Sequence, residues 1–219
     1  QARGVAGFTN GETFRIGSTE PVLYNARFFI QQHFNFDPQH MITLEDGVNQ
    51  VRQQVSDNRL TLSLGKISLA DYFDKNSFSH DTRSQFMNWS LMSNGAWDYP
   101  ADTRGYTKGI VAEWYYYRWT FRSAVTMVPL KANGLQLDDN ISKAQGLTFE
   151  TERNWVINKL PGTARVLLFA NTSQAPSYIE AIANAQKGDS TAALVVGGLF
   201  AWNKYSNTKY GYGINIEQY

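Results

Sequence analysis

Along much of this chain every second residue is apolar, the period of a β-strand with one face in a nonpolar medium and the other in water. From Tyr24 to Phe34, Ala26, Phe28, Ile30 and Phe34 share one face while Asn25, Arg27, Gln31 and His33 share the other, with Phe29 and Gln32 as exceptions. Between Arg59 and Gly65 the split is complete: Leu60, Leu62 and Leu64 oppose Arg59, Thr61, Ser63 and Gly65. Trp119, Phe121, Val125 and Met127 oppose Thr120, Arg122, Ala124 and Thr126, and Tyr210, Tyr212, Ile214 and Ile216 oppose Lys209, Gly211, Gly213, Asn215 and Glu217. Ala164, Val166, Leu168 and Ala170 oppose Arg165 and Asn171, although Leu167 and Phe169 sit on the polar side. Ala192 to Trp202 is apolar on both faces, so the pattern does not discriminate there. Counted as a strand, and joined by Gly105–Tyr117 and Thr148–Asn158, it brings the total to about eight strands, each near the roughly 9–11 residues that a tilted membrane strand needs.

The connections separate by length. Tight turns are expected near Tyr117–Arg118, Lys159–Gly162 and Ser206–Asn207, and long joins at about 70–104, 130–147 and 172–190. Short and long connections thus alternate, as periplasmic turns and extracellular loops do in outer-membrane barrels. The join at about 35–57 is long where parity asks for a short one, which reads as a periplasmic excursion; its Glu45–Gln54 segment suits a short helix. Another short helix is expected at Tyr178–Gln186, where Ile179, Ile182 and Ala183 keep helical spacing after Pro176. A soluble antiparallel sandwich or lectin-like barrel shows the same period-two strands and stays open on pattern alone. Aromatics on the apolar face near strand ends (Trp114, Tyr116, Trp119, Trp155, Trp202, Tyr210, Tyr212) suit an interfacial girdle.

Composition adds exclusions. With 219 residues the chain has the length of one domain, and a formal net charge of +1 argues against a general polyanion binder, so nucleic acid is not an expected partner. There is no Cys, which removes disulfides and thiolate metal sites. No apolar run is long enough for a spanning helix, and the mean hydropathy is −0.40. Alternating strands average to such values, so hydropathy does not exclude a barrel.

Three runs follow one another in the middle of the chain: Lys66-Ile-Ser-Leu-Ala-Asp-Tyr-Phe-Asp74, Phe78-Ser-His-Asp-Thr-Arg-Ser-Gln-Phe-Met-Asn-Trp89, and Asn94-Gly-Ala-Trp-Asp-Tyr-Pro-Ala-Asp-Thr-Arg-Gly-Tyr106. In that order and at about that spacing the segment resembles the carbohydrate-selective porins of the OprB family. The likeness extends to Val5–Glu12, Glu45–Gln50 and Lys209–Gln218, and so covers nearly the whole chain. The resemblance implies an all-β, antiparallel transmembrane barrel of the outer-membrane porin type, with about sixteen strands in the full protein and about eight here. On that reading residues 1–219 are an incomplete portion of a single barrel domain, since an open edge cannot persist in lipid. The implied function is passive, selective diffusion of glucose-type sugars or oligosaccharides across the outer membrane. Its partners are carbohydrates and outer-membrane lipid and lipopolysaccharide, with a homo-oligomer and a monomer both left open. A soluble periplasmic or extracellular carbohydrate-binding protein is the competing reading.

A sugar constriction needs charged forks, carboxylates and an aromatic surface, because sugars carry donor and acceptor hydroxyls and an apolar C–H face, yet it must bind weakly to conduct. The loop at 70–104 is long enough to be functional and is expected to fold toward the pore constriction. It carries Tyr72, Trp89, Trp97, Tyr99, Asp81, Arg83, Asp98, Asp102 and Arg104. Arg83 and Arg104 are candidates for bidentate contacts to sugar hydroxyls, or for salt bridges with Asp81, Asp98 or Asp102 that fix the loop. Trp89 and Trp97 are candidates for stacking on a sugar face, or for loop packing. Glu113 and Arg122, on the polar face of consecutive strands, are the expected wall pair; Arg27, Arg59, Arg165, Glu150 and Glu152 share their direction. The three histidines are His33, His40 and His80, and only His80 adjoins a carboxylate, with Ser79 and Asp81 beside it. That cluster alone supports no hydrolase, and neither a cofactor nor a metal is expected; calcium on the Asp-rich loop has no ligand spacing behind it.

Overall fold

The computed structural model describes residues 23–47, 49–78, 80, 84–85, 91, 93–95, 97–131, 134–174, 177–197 and 206–219. Its strands are β1 (Phe28–Asn35), β2 (Met41–Leu44), β3 (Gln53–Ser56), β4 (Asn58–Ile67), β5 (Thr107–Tyr116), β6 (Trp119–Thr126), β7 (Gln145–Ile157), β8 (Leu160–Gln174) and β9 (Ser206–Gln218). Seven of them form one antiparallel sheet in the order β1-β4-β5-β6-β7-β8-β9, and β2 and β3 pair separately. Each strand of the large sheet lies beside its predecessor in that order, an up-and-down meander whose two outer strands are β1 and β9.

The alternation read from sequence is the alternation of faces. On β5, Lys108, Ile110, Trp114 and Tyr116 are exposed while Thr107, Val111 and Glu113 are buried. On β6, Thr120, Arg122, Ala124 and Thr126 are buried, and Trp119, Ser123 and Val125 are exposed. A water-soluble fold would hide the aliphatic row and expose the charges; this sheet does the reverse. The exceptions have local reasons: Phe29 turns to the polar face to pack on the core cluster, and the Gln32 amide bonds the His33 carbonyl beside it.

Tight turns and long connections alternate as expected. Tyr116 pairs with Trp119 across Tyr117–Arg118, and Ile157 pairs with Leu160 across Asn158–Lys159. Asn158 and Lys159 both have positive φ, 52° and 67°, the requirement of a type I′ hairpin turn whose twist matches the strands. This turn precedes the expected position at Lys159–Gly162, because Leu160–Gly162 are already paired in β8. Ser206–Asn207 is no turn either: it opens β9, opposite Gln174 and Ser173.

Two further expectations are corrected. Of the run Ala192–Trp202, Ala192–Val196 is helical, not a strand: it belongs to α2 (Ser190–Val196), which follows α1 (Tyr178–Gln186), and 198–202 lie outside the described residues. Asp189 accepts from the backbone N–H groups of Thr191 and Ala192 and so nucleates α2, and a run without alternation has no strand face to satisfy. Among the described residues the large sheet accordingly has seven strands, against about eight expected for the chain. Glu45–Gln54 is not a helix but the tip of the β2–β3 hairpin, closed by a Gly47–Gln50 bridge and by Asp46 accepting from the Arg52 N–H. The expected helix at Tyr178–Gln186 is α1, capped by Ser177.

Over the polar face lies the described part of the β4–β5 connection. Leu69, Tyr72, Phe73 and Trp97 from it join Ile67, Val111, Ala124, Leu167 and Phe169 of the sheet in one buried cluster. Leu167 and Phe169, the two apolar residues out of step in β8, are the sheet's half of this contact. Gly213 makes room for it: a Cβ there would occupy the position of the Asn94 side chain. Gly213→Val is therefore expected to displace the segment around Asn94 and lower the thermal midpoint of the full-length protein, whereas valine at the lipid-side Ile214 should leave the midpoint unchanged. Circular dichroism melts in detergent measure both.

Candidate functional site: a charged wall on the polar face

Six consecutive strands, β4 to β9, deliver the charged side chains in register. Glu113 of β5 is the Cα partner of Arg122 in β6, Arg122 is the partner of Glu150 in β7, and Glu152 is the partner of Arg165 in β8. Arg122 is 4% exposed and spans three carboxylates: its Nε lies 3.3 Å from Glu113 Oε1, and its Nη1 lies 2.8 Å from Glu150 Oε1 and 3.0 Å from Glu152 Oε2. Arg165 continues the chain, 2.8 Å from Glu152 and 2.7 Å from Glu217 of β9. Arg59 of β4 stands at the other end, its guanidinium 3.7 Å over the ring of its Cα partner Tyr115, whose hydroxyl donates to Glu113 at 2.8 Å. Four carboxylates face three guanidiniums, which leaves the wall one formal negative charge and a row of oppositely signed groups across the strands.

The connection above is tied to the same carboxylates. The Asp74 N–H donates to Glu150 at 2.7 Å, and the Ser77 N–H to Glu217 at 3.0 Å. The Asp74 carboxylate accepts from the Asn94 N–H and the Asn215 amide, each at 2.5 Å. Asp74 has a φ of 53°, a left-handed conformation that Asp tolerates better than most residues, and this is where the chain turns along the wall. Farther along, the Asn171 amide donates to the Asp98 carbonyl and Lys209 reaches the Asp98 carboxylate at 3.2 Å.

Beside the wall, between β1, β4, β5 and the covering segment, is a pocket of about 330 Å³. Gln31, Arg59, Thr61, Glu113 and Tyr115 line it from the sheet, and Asp71, Tyr72 and Lys75 from the connection. Asn49 and Gln50, at the tip of the β2–β3 hairpin, reach its opposite side. His33 holds that hairpin. The Gln53 amide lies 3.1 Å from His33 Nε2, and Thr61 Oγ1 lies 2.8 Å from His33 Nδ1. Arg27 closes bidentately on Asp71, at 2.7 and 2.8 Å, and fixes the rim. Donors, acceptors and aromatic faces thus surround one small cavity, at the low end of ligand-pocket volumes.

Glu113 and Arg122, expected as a pair, are in contact and both line this pocket. Arg104 lies apart from the wall: its guanidinium sits 4.0 Å over the Tyr24 ring, and its N–H donates to the Asp102 carboxylate, which also accepts from the Tyr24 hydroxyl. Trp97 is 5% exposed in the core cluster, 5.9 Å from the Phe73 ring and 5.2 Å from Tyr99. Arg83, Asp81 and Trp89 lie outside the described residues. His80 donates from Nε2 to the Asp74 carbonyl at 2.8 Å, which engages its ring in the turn. Among the described residues no group of three His, Cys, Asp or Glu could hold a metal ion. Sequence reasoning missed the Arg59–Tyr115 stack and the role of Asp74; the first was accessible, since both residues occupy polar-face positions of successive strands.

At the opposite end of the strands His40 and Tyr117 converge on Asp37. Its carboxylate lies 2.6 Å from His40 Nδ1 and accepts from the Tyr117 hydroxyl at 2.9 Å. These bonds, His40 first, hold the Asp37 carboxyl below the usual range, and the bond to Asp37 pushes the Tyr117 phenol up. A lowered carboxyl contributes stability above its unfolded value and loses it as pH falls through the folded value. The tie between the excursion and the β5–β6 turn is thus expected to persist at neutral pH and release only below about pH 4. Asp37→Asn should abolish that acid-dependent step in hydrogen exchange at the turn.

An open antiparallel meander with lipid-type side chains on one face and an ion-paired wall on the other fits a portion of the wall of an outer-membrane β-barrel. The model of the carbohydrate-selective porin, OprB family, matches residues 18–218, and the chain belongs to that family. Comparison with the curated proteins finds no match, and comparison with the solved structures finds none. The family is one of outer-membrane transport channels rather than enzymes.

Proposed function

We propose that the chain contributes to a channel through which glucose-type monosaccharides cross the outer membrane by passive diffusion, touching the wall formed by Arg59, Tyr115, Glu113 and Arg122. The observation that carries this is the pocket beside the ladder. There a stacked guanidinium, a carboxylate, hydroxyl and amide groups and the Tyr72 and Tyr115 rings converge within about 330 Å³. Such a surface exchanges a sugar's water for directed hydrogen bonds of similar strength, which permits recognition without tight retention. The β4–β5 connection, packed on the polar face, narrows the passage, and the outward aliphatic and aromatic rows are covered by outer-membrane lipid. Diffusion needs no covalent step, and the described groups are engaged in ion pairs and turns rather than in an activated nucleophile.

Single-channel conductance of the full-length protein in planar bilayers tests the reading. Glucose is expected to block ion current reversibly in a concentration-dependent manner, and Arg59→Ala to weaken that block about 10- to 150-fold, as for a hydrogen bond to a charged group. A conducting channel indifferent to glucose would refute sugar selectivity. Undiminished block in Arg59→Ala would remove this pocket from the sugar path.

A further inference from the structure

The lipid side of the sheet carries a second concavity. Near the ends of β4 and β5 that lead into their long connection, a groove of about 450 Å³ is lined by Leu64, Ile110 and Val125, with Ile141 from the β6–β7 connection along its side. It lies across β1, β4, β5 and β6, within the sheet. The charges that line it are both positive: Lys66 and Lys108. The two lysines are direct Cα partners, and like charges directly opposed on one face of an antiparallel pair are unfavourable. Lys66 Nζ is held 3.9 Å over the Tyr24 ring, which also carries Arg104 at 4.0 Å and whose hydroxyl donates to the Asp102 carboxylate, so cations outnumber this one acid beside the groove. Long connections mark the extracellular end of outer-membrane strands, which places these ammonium groups at the headgroup level of the outer leaflet, directly above an apolar slot.

We infer that this groove binds one molecule of lipopolysaccharide, with a phosphate of its glycolipid base between Lys66 and Lys108 and an acyl chain along Leu64, Ile110 and Val125 against Ile141. The anion would relieve the repulsion between the opposed lysines, and the slot would cover apolar surface that a cylindrical lipid neighbour contacts poorly. A phospholipid lacks both the paired phosphates and the leaflet: phosphorylated glycolipid faces outward at this end of the strands. The site lies on the opposite face of the sheet from the sugar pocket, so it stands independently of the sugar-diffusion reading.

Delipidated full-length protein in detergent, titrated with deep-rough lipopolysaccharide while the thermal midpoint is followed, tests the site. Wild type is expected to saturate, and Lys66→Gln/Lys108→Gln to bind about 30-fold more weakly, each lysine at an anionic lipid surface contributing about fivefold. Lys66→Arg/Lys108→Arg should retain the wild-type affinity, and wild type should bind phosphate-stripped lipopolysaccharide as weakly as the glutamine variant binds the intact lipid. Equal affinity of wild type for intact and stripped lipid, or for phosphatidylglycerol and lipopolysaccharide, would overturn the inference; so would an unchanged affinity in the glutamine variant. Both wild-type arms decide the matter even if that variant fails to assemble. Glucose block should be the same in wild type and in both double variants.

Discussion

Arg122→Leu is expected to be the most damaging single substitution on the charged wall, lowering the stability of the folded protein by about 3–5 kcal/mol or preventing assembly. The reason is its position between three acids. Glu113, Glu150 and Glu152 all contact this one guanidinium, and Glu150 is fully buried at 0% exposure. Removing the cation leaves three carboxylates within a few ångströms of one another, with Arg165 reaching only Glu152. Part of the loss should return in the combination with Glu150→Gln, because one of the stranded charges is then gone, and a double-mutant cycle isolates that coupling. Heat-modifiable mobility and urea titration of the detergent-solubilised protein give the numbers. A loss below about 1 kcal/mol would mean that channel water solvates the ladder as it does surface pairs, and the buried description of the wall would be wrong.

Trp97→Ala is expected to act on the covering segment. The indole is buried against Phe73 and Tyr99, in the cluster that fastens the β4–β5 connection to Val111, Ala124, Leu167 and Phe169. Truncating a large aromatic in such a cluster costs about 3–5 kcal/mol where it is fully packed. Here the loss should fall on the connection rather than on the hydrogen-bonded sheet. The expected result is therefore a folded protein with larger single-channel conductance and weaker glucose block. A lower thermal midpoint at unchanged conductance would assign Trp97 to packing alone and place the narrow point of the channel elsewhere.

The two variants probe different layers, and the sequence reported those layers unequally. Period-two alternation is a local property, and lipid on one side and water on the other enforce it at every strand. Leu60, Leu62 and Leu64, or Tyr210, Tyr212 and Ile214, could be assigned to a face without knowing what lay beside them. The ladder was partly legible for the same reason: Glu113, Arg122, Glu150, Glu152 and Arg165 sit at polar-face positions, and strands in a meander follow each other in space. Leu167 and Phe169 looked like breaks in the pattern because the segment they meet is far from them in sequence. The run from Ala192 misled because a continuous apolar stretch has no period, and its N-cap at Asp189 was the signal that could have marked a helix.

What the sequence determined by itself was the class and the family: alternating strands set apart by tight and long connections, and three ordered runs between Lys66 and Tyr106 that belong to a carbohydrate-selective porin. Only the tertiary structure decided the register, and the register decides the chemistry. A slip of one residue would turn Arg122 toward lipid, whereas the pairing adopted lets one guanidinium reach three carboxylates from two neighbouring strands. It also decided that Asp74 and Ser77 bind that wall through backbone N–H groups, which carry no side-chain signature. Faces follow from local solvation and are written in every residue; contacts across the polar face depend on where a long connection comes to rest, which no local period records.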